Sequence, residues 1–130
     1  MIKEYDELKS EYLELFDVDD PVTAFGLMKK ASALCEYLES QHAKYVRLAL
    51  EAEKQAEALE ARTSIGNGKS VAEGKRFAEQ DPLVVEAWRQ FQIATEKAST
   101  INAQARHTLR IYYDTKRVWE LGEKKERYNG

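Results

Sequence analysis

Four cations and one aromatic ring are the residues of this chain best placed to do chemistry. Arg62, Lys69, Lys75 and Arg76 fall within fifteen residues, around Gly66-Asn67-Gly68, and Phe77 follows directly. Guanidinium and ammonium groups hold phosphate oxygens, and a glycine turn lets a phosphate approach backbone N–H groups. A ring beside them offers a face for stacking. The set points to an anionic ligand at a turn. It requires flanking elements that bring the cations together.

Other constellations fall short of a reaction. Gly68-Lys69-Ser70 matches the end of a phosphate-binding P-loop, but that motif needs a glycine five residues before Gly68, where Thr63 stands. It also needs a preceding strand, and the pattern there is helical. Glu39 and His42 have the Glu-x-x-His spacing of di-metal bundles, which require a second copy on a facing helix. The other histidine, His107, has Gln104 three residues before it. Cys35 sits among Ala31 and Leu38, the setting of a buried, inert thiol. No Ser, His and Asp are spaced as a triad or nucleophile elbow. The expectation is a non-enzyme with no catalytic residue, no metal and no cofactor.

Composition bounds the class. The chain has 130 residues, 43% hydrophobic and 33% charged, with only 6 Gly and 2 Pro. Few breakers in so charged a chain favour long helices over a many-turned β architecture. A single cysteine excludes a disulfide framework and implies a reducing, cytoplasmic compartment. No apolar run spans a bilayer, so no membrane partner is expected. The net charge of −3 is unevenly spread: residues 1–20 carry −6, residues 21–65 are neutral and residues 66–130 carry +3. An acidic head therefore precedes a mildly basic half suited to something acidic.

The elements follow from punctuation. Asp20 and Asp81 precede Pro21 and Pro82, an N-cap followed by proline at the first helical position. Ser70-Val71-Ala72-Glu73 fits a capping box. Gly122 reads as a C-terminal stop. The spacing predicts helices near 2–16, 21–64, 70–79 and 82–121. The fold class is all-α: a long antiparallel helical hairpin with a short N-terminal helix and a short helix at the hairpin tip. It forms a single helical domain over 1–130, with an acidic N-terminal helix (1–20), the hairpin (21–122) and a charged tail (123–130).

Both long segments carry a heptad-like seam. In the first it visits Met28, Ala31, Cys35, Leu38, His42, Tyr45, Ala49, Ala52, Ala56 and Leu59. In the second it visits Val84, Trp88, Phe91, Thr95, Ala98, Asn102, Ala105, Leu109, Tyr112, Lys116 and Trp119. A period near 3.5 means two helices packed side by side, antiparallel because their connection is short. Setting Ala56 opposite Trp88 makes paired residue numbers sum to about 144, and small residues then meet large ones. The same register brings His42 against Asn102 as a polar pair that fixes it. Leu27, Leu34, Val46, Leu50, Ile101, Ile111, Tyr113 and Val118 lie off the seam. The N-terminal helix, with Tyr5, Leu8, Tyr12, Leu13 and Phe16, covers only part of them, so a homo-oligomer is expected.

The order of features resembles the UvsY-type recombination mediators of bacteriophages over roughly residues 40–120. The resemblance rests on Ala58-Leu59-Glu60-Ala61-Arg62 ending a long helix, the Gly66-Asn67-Gly68 loop, Glu73-Gly74-Lys75-Arg76 in a short helix, and Ala78-Glu79-Gln80-Asp81-Pro82-Leu83-Val84 leading into a second long helix. The basic Lys-x-Arg pair of the family stands here as Glu60 and Arg62. The resemblance implies an oligomeric, non-catalytic protein that binds single-stranded DNA. It also implies that the protein helps load a recombinase onto DNA coated with single-strand-binding protein, in the host cytoplasm if phage-encoded. Arg62, Lys69, Lys75, Arg76 and Phe77 are then the nucleic-acid-binding residues. The alternative is a helical protein-interaction module, such as a phage-encoded inhibitor or an assembly chaperone. It would act through Glu4, Asp6, Glu7, Glu11, Glu14, Asp17, Asp19 and Asp20.

Overall fold

The computed structural model describes residues 2–18, 20–66 and 70–129, with the side chains of 3–14, 20–66 and 70–125. Four helices follow in order: α1 (Ile2–Val18), α2 (Pro21–Gly66), α3 (Val71–Gln80) and α4 (Pro82–Asn129). Every described residue is helical except Asp20, Ser70 and Asp81. Those three are the caps that the sequence identifies. Asp20 accepts the Val22 N–H at 3.1 Å and the Thr23 hydroxyl at 2.8 Å. These bonds hold its carboxyl below the usual range, the Thr23 bond first. Ser70 accepts the Glu73 N–H at 3.2 Å. Asp81 accepts the Leu83 N–H at 2.9 Å, and its own N–H donates to the Ala78 carbonyl, closing α3. Each cap satisfies donors that the first helical turn leaves unpaired.

Helices α2 and α4 pack against each other as an antiparallel hairpin. The chain divides into two compact units, Met1–Ser40 with Ile101–Gly130, and Gln41–Thr100. In the first unit Phe25 meets Trp119 with ring centroids 5.0 Å apart, and Pro21 lies against Gly122. In the second, the Lys97 ammonium lies 4.8 Å from the Tyr45 ring centre, and the Trp88 indole N–H donates to Glu60 at 3.1 Å. Three of these four pairs have residue numbers summing to between 142 and 144, close to the register read from residue size. No described helix is long and apolar enough to cross a membrane.

Two sequence expectations are corrected. Gly122 does not stop the helix, and residues 123–129, read as a tail, continue α4 to Asn129. Gly122 keeps a helical backbone, and a Cβ there would sit 2.3 Å from the Pro21 ring. The glycine serves close packing rather than a left-handed cap, and good helix formers follow it. The second correction concerns two positions of the α4 seam. Thr95 and Leu109 are exposed, whereas Val84, Ala98 and Ala105 are buried and Trp88, Phe91, Asn102, Tyr112, Lys116 and Trp119 half-buried; Thr108, Ile111 and Thr115, off the seam, are buried. Thr108 and Thr115 are fully buried because each hydroxyl donates to the carbonyl four residues back, at 2.8 and 2.7 Å. The polar atom is satisfied within the helix, so the methyl group can face the core.

The first unit has a third helix. The Tyr5 hydroxyl hydrogen-bonds His107 Nδ1 at 2.8 Å, and the Tyr12 hydroxyl donates to Asp114 at 2.5 Å. Both pairs are 102 residues apart, so α1 and α4 run parallel. Leu8, between the two tyrosines, is buried with Leu27, Leu34 and Ile111. Thus α1 covers those three residues of the apolar surplus, while Val46, Leu50 and Tyr113 stay exposed. Burial, then the Asp114 bond and charge, push the Tyr12 phenol up to about 12.

Two outcomes follow from this packing. Ile111→Ala removes a fully buried side chain and should cost about 2–5 kcal/mol in urea unfolding followed by circular dichroism. Leu109→Ala, at a position 39% exposed, should cost well under half as much. Because Tyr12 ionises less readily folded than unfolded, its contribution is complete below its unfolded value near 10 and is lost as pH rises towards 12. The urea midpoint should therefore fall between pH 9 and 11.5, and Tyr12→Phe should flatten that fall.

Candidate nucleic-acid interface

The sequence-predicted site lies in the second unit, where α2 ends and α3 begins. Lys69, with Asn67 and Gly68, lies outside the described residues. Arg62 stands on the last turns of α2, and Lys75, Arg76 and Phe77 stand on α3. All four are exposed, Phe77 by 48%. Arg62, Lys75 and Arg76 form no ion pair with any described residue, unlike Lys30, which bridges Glu11 at 3.0 Å.

A close backbone approach positions α3. Gly74 and Ala78 are its buried residues, one turn apart on one face. A Cβ on Gly74 would lie 2.2 Å from the Ser64 carbonyl oxygen of α2. Only hydrogen fits there, so Gly74 lets α3 lie directly on the last turns of α2. Helix geometry then sorts the candidates. At about 100° per residue, Lys75 and Phe77 flank the buried stripe from opposite sides, and Arg76 points directly away from α2. Arg62, two residues before Ser64, lies about 200° round α2 from that contact. The structure therefore brings Lys75, Arg76 and Phe77 onto one short helix, and turns Arg62 to another side.

The surroundings temper the charge. Glu73 and Glu79 are exposed on α3 with the two cations. Glu60, which stands in one of the Lys-x-Arg positions of the resemblance, is held by the Trp88 indole. Its carboxylate serves packing between α2 and α4.

Among the remaining sequence candidates, Cys35 and Glu39 partner each other. Cys35 is buried and its thiol donates to Glu39 at 3.6 Å. Burial, then the Glu39 charge, push that thiol up, away from the reactive thiolate. Glu39 of the Glu-x-x-His pattern thus faces Cys35. His42 and Asn102 are both half-buried, one in each unit. Of the acidic head, Asp17 and Asp19 have side chains outside the described set, as does the apolar Phe16.

Sequence reasoning missed a second basic face. Arg106, Arg110, Arg117 and Lys124 are exposed on α4 in the first unit, with Tyr113 and Leu121 between them, 57% and 55% exposed. Steps of three and four place all six within about 80° of one helix face. The signal was in the spacing, but tracing the apolar seam passes over an exposed stripe.

The chain matches no protein-family model, no curated protein and no solved structure.

Glycine substitutions test how α3 is seated. Gly74→Ala should push α3 off α2 and cost about 1–3 kcal/mol. Gly26→Ala, with no neighbour within 4 Å of its Cβ, should stabilise the helix by about 0.5–1 kcal/mol. Thermal melts of the two variants should therefore shift in opposite directions.

Proposed function

We propose that this chain is a non-catalytic, oligomeric protein that binds single-stranded DNA at the hairpin tip. The observation that carries the reading is the group Lys75, Arg76 and Phe77 on α3. Two cations without an ion-pair partner among the described residues share this short helix with a half-exposed ring. Single-strand binding uses this combination: cations along the phosphates and a face on which any base stacks. Arg62 and Lys69 add positive charge at the end of α2 and in the loop. A single tip is a modest site, and the second unit carries no net charge, so useful affinity comes from several tips engaging one strand. The resemblance to UvsY-type mediators extends the reading to helping load a recombinase onto DNA coated with single-strand-binding protein, in the host cytoplasm if the chain is phage-encoded.

A fluorescence titration with a long single-stranded oligonucleotide at low salt tests this. Replacing Arg62, Lys69, Lys75 and Arg76 by Ala should weaken binding and flatten its salt dependence, because fewer counterions are released. Phe77→Ala should cost about 1–3 kcal/mol of affinity and leave the melting temperature unchanged. If the wild-type protein does not bind, the reading fails, and a partner-binding module acting through acidic α1 takes its place.

A further inference from the structure

Helix α1 and the α4 stripe are opposite in charge and similar in length. The outward side of α1 carries Asp6, Glu7 and Glu14, all exposed. Between α1 and α2 runs a groove of about 420 Å³ lined by Leu8, Ala33 and Leu34 and by Glu4, Glu7 and Glu11, where Lys30 already pairs with Glu11 at 3.0 Å. Arg106, Arg110, Arg117 and Lys124 form the complementary edge on α4, with Tyr113 and Leu121 as apolar projections. At 1.5 Å per residue α1 is about 25 Å long and the stripe about 27 Å.

These surfaces do not satisfy each other within one chain. The chain's own α1 reaches α4 at His107 and Asp114, to one side of the stripe. None of the four stripe cations forms an ion pair with a described residue. The side of α1 that carries Asp6, Glu7 and Glu14 therefore remains open beside an apolar groove, and the stripe remains open around its apolar projections.

We infer that the occupant of the α1–α2 groove is the α4 stripe of a second copy of this chain. The contact is heterologous, joining one surface to a different one. Such contacts repeat from copy to copy and close into rings when the rotation allows. Tyr113 and Leu121 bury apolar area against the groove, and the charges set orientation and register. The inference does not depend on nucleic-acid binding, and its test uses protein alone.

Light scattering of the full chain at tens of micromolar provides the test. At low salt the wild type should exceed the 15.0 kDa of one chain, and the mass should fall as salt screens the contact. Arg110→Glu with Arg117→Glu should reduce the protein to single chains, and so should Asp6→Lys with Glu7→Lys. A chain carrying all four changes exchanges the signs of the two altered pairs and should recover the wild-type mass. Arg110→Gln with Arg117→Gln should lower the mass with less perturbation, and circular dichroism should show every variant helical. A monomeric wild type, a mass unchanged by either reversal, or no recovery in the fourfold variant would overturn the inference. So would a stripe reversal that abolishes oligonucleotide binding while leaving the mass unchanged, since it would assign the stripe to nucleic acid.

Discussion

Backbones can lie close together only where side chains are small, and this fold depends on that condition at its tightest helix contacts. Ala31 and Ala105 are buried in the first unit, and Ala49, Ala56 and Ala98 in the second. Glycine takes over where even a methyl group is too large, at Gly122 against Pro21 and at Gly74 against Ser64. Close approach sets register, because a small residue must face a larger one or a cavity results. Phe25 against Trp119 in one unit and Tyr45 against Lys97 in the other keep nearly the same register. The placement of Lys75 and Arg76 depends on the same condition, through Gly74.

The two units are built to different depths. The first has α1 as a third helix, and its core holds Leu8, Leu27, Leu34, Leu38 and Ile111. The second has only short α3 to add, and its buried apolar residues are Ala49, Ala56, Ala78, Val84 and Ala98. A core of small side chains buries less area and stabilises less. Val46, Leu50, Val85 and Ile93 stay half-exposed there for want of a covering helix. Local opening is therefore expected to be easier in the unit that carries the tip.

Charge is arranged by element. Acidic side chains dominate α1, basic ones line one face of α4 and the tip is mixed. A net charge of −3 thus conceals surfaces of opposite sign, and none of the stripe cations on α4 pairs with a described carboxylate. Both proposed interactions are electrostatic in their steering, so salt should weaken both, and only the charge-inverted variants distinguish them.

Much of this fold is legible in the sequence because its signals are local. Asp20, Ser70 and Asp81 cap helices through side chains that reach N–H groups two or three residues away, so each boundary is written where it occurs. The α2 seam from Met28 to Leu59 and the helix register follow from periodicity and residue size. What tertiary structure decided are the cases where one residue has two uses. Gly122 can end a helix or admit a proline ring, and only the neighbouring Pro21 selects the second. Thr108 and Thr115 can face water or, with their hydroxyls bonded to their own helix, face the core, and packing within the first unit selects the core. The cations at the tip are close in sequence, but proximity along a chain does not put residues on one face. The seating of Gly74 on Ser64 puts α3 on one side of α2 and leaves Arg62 on another.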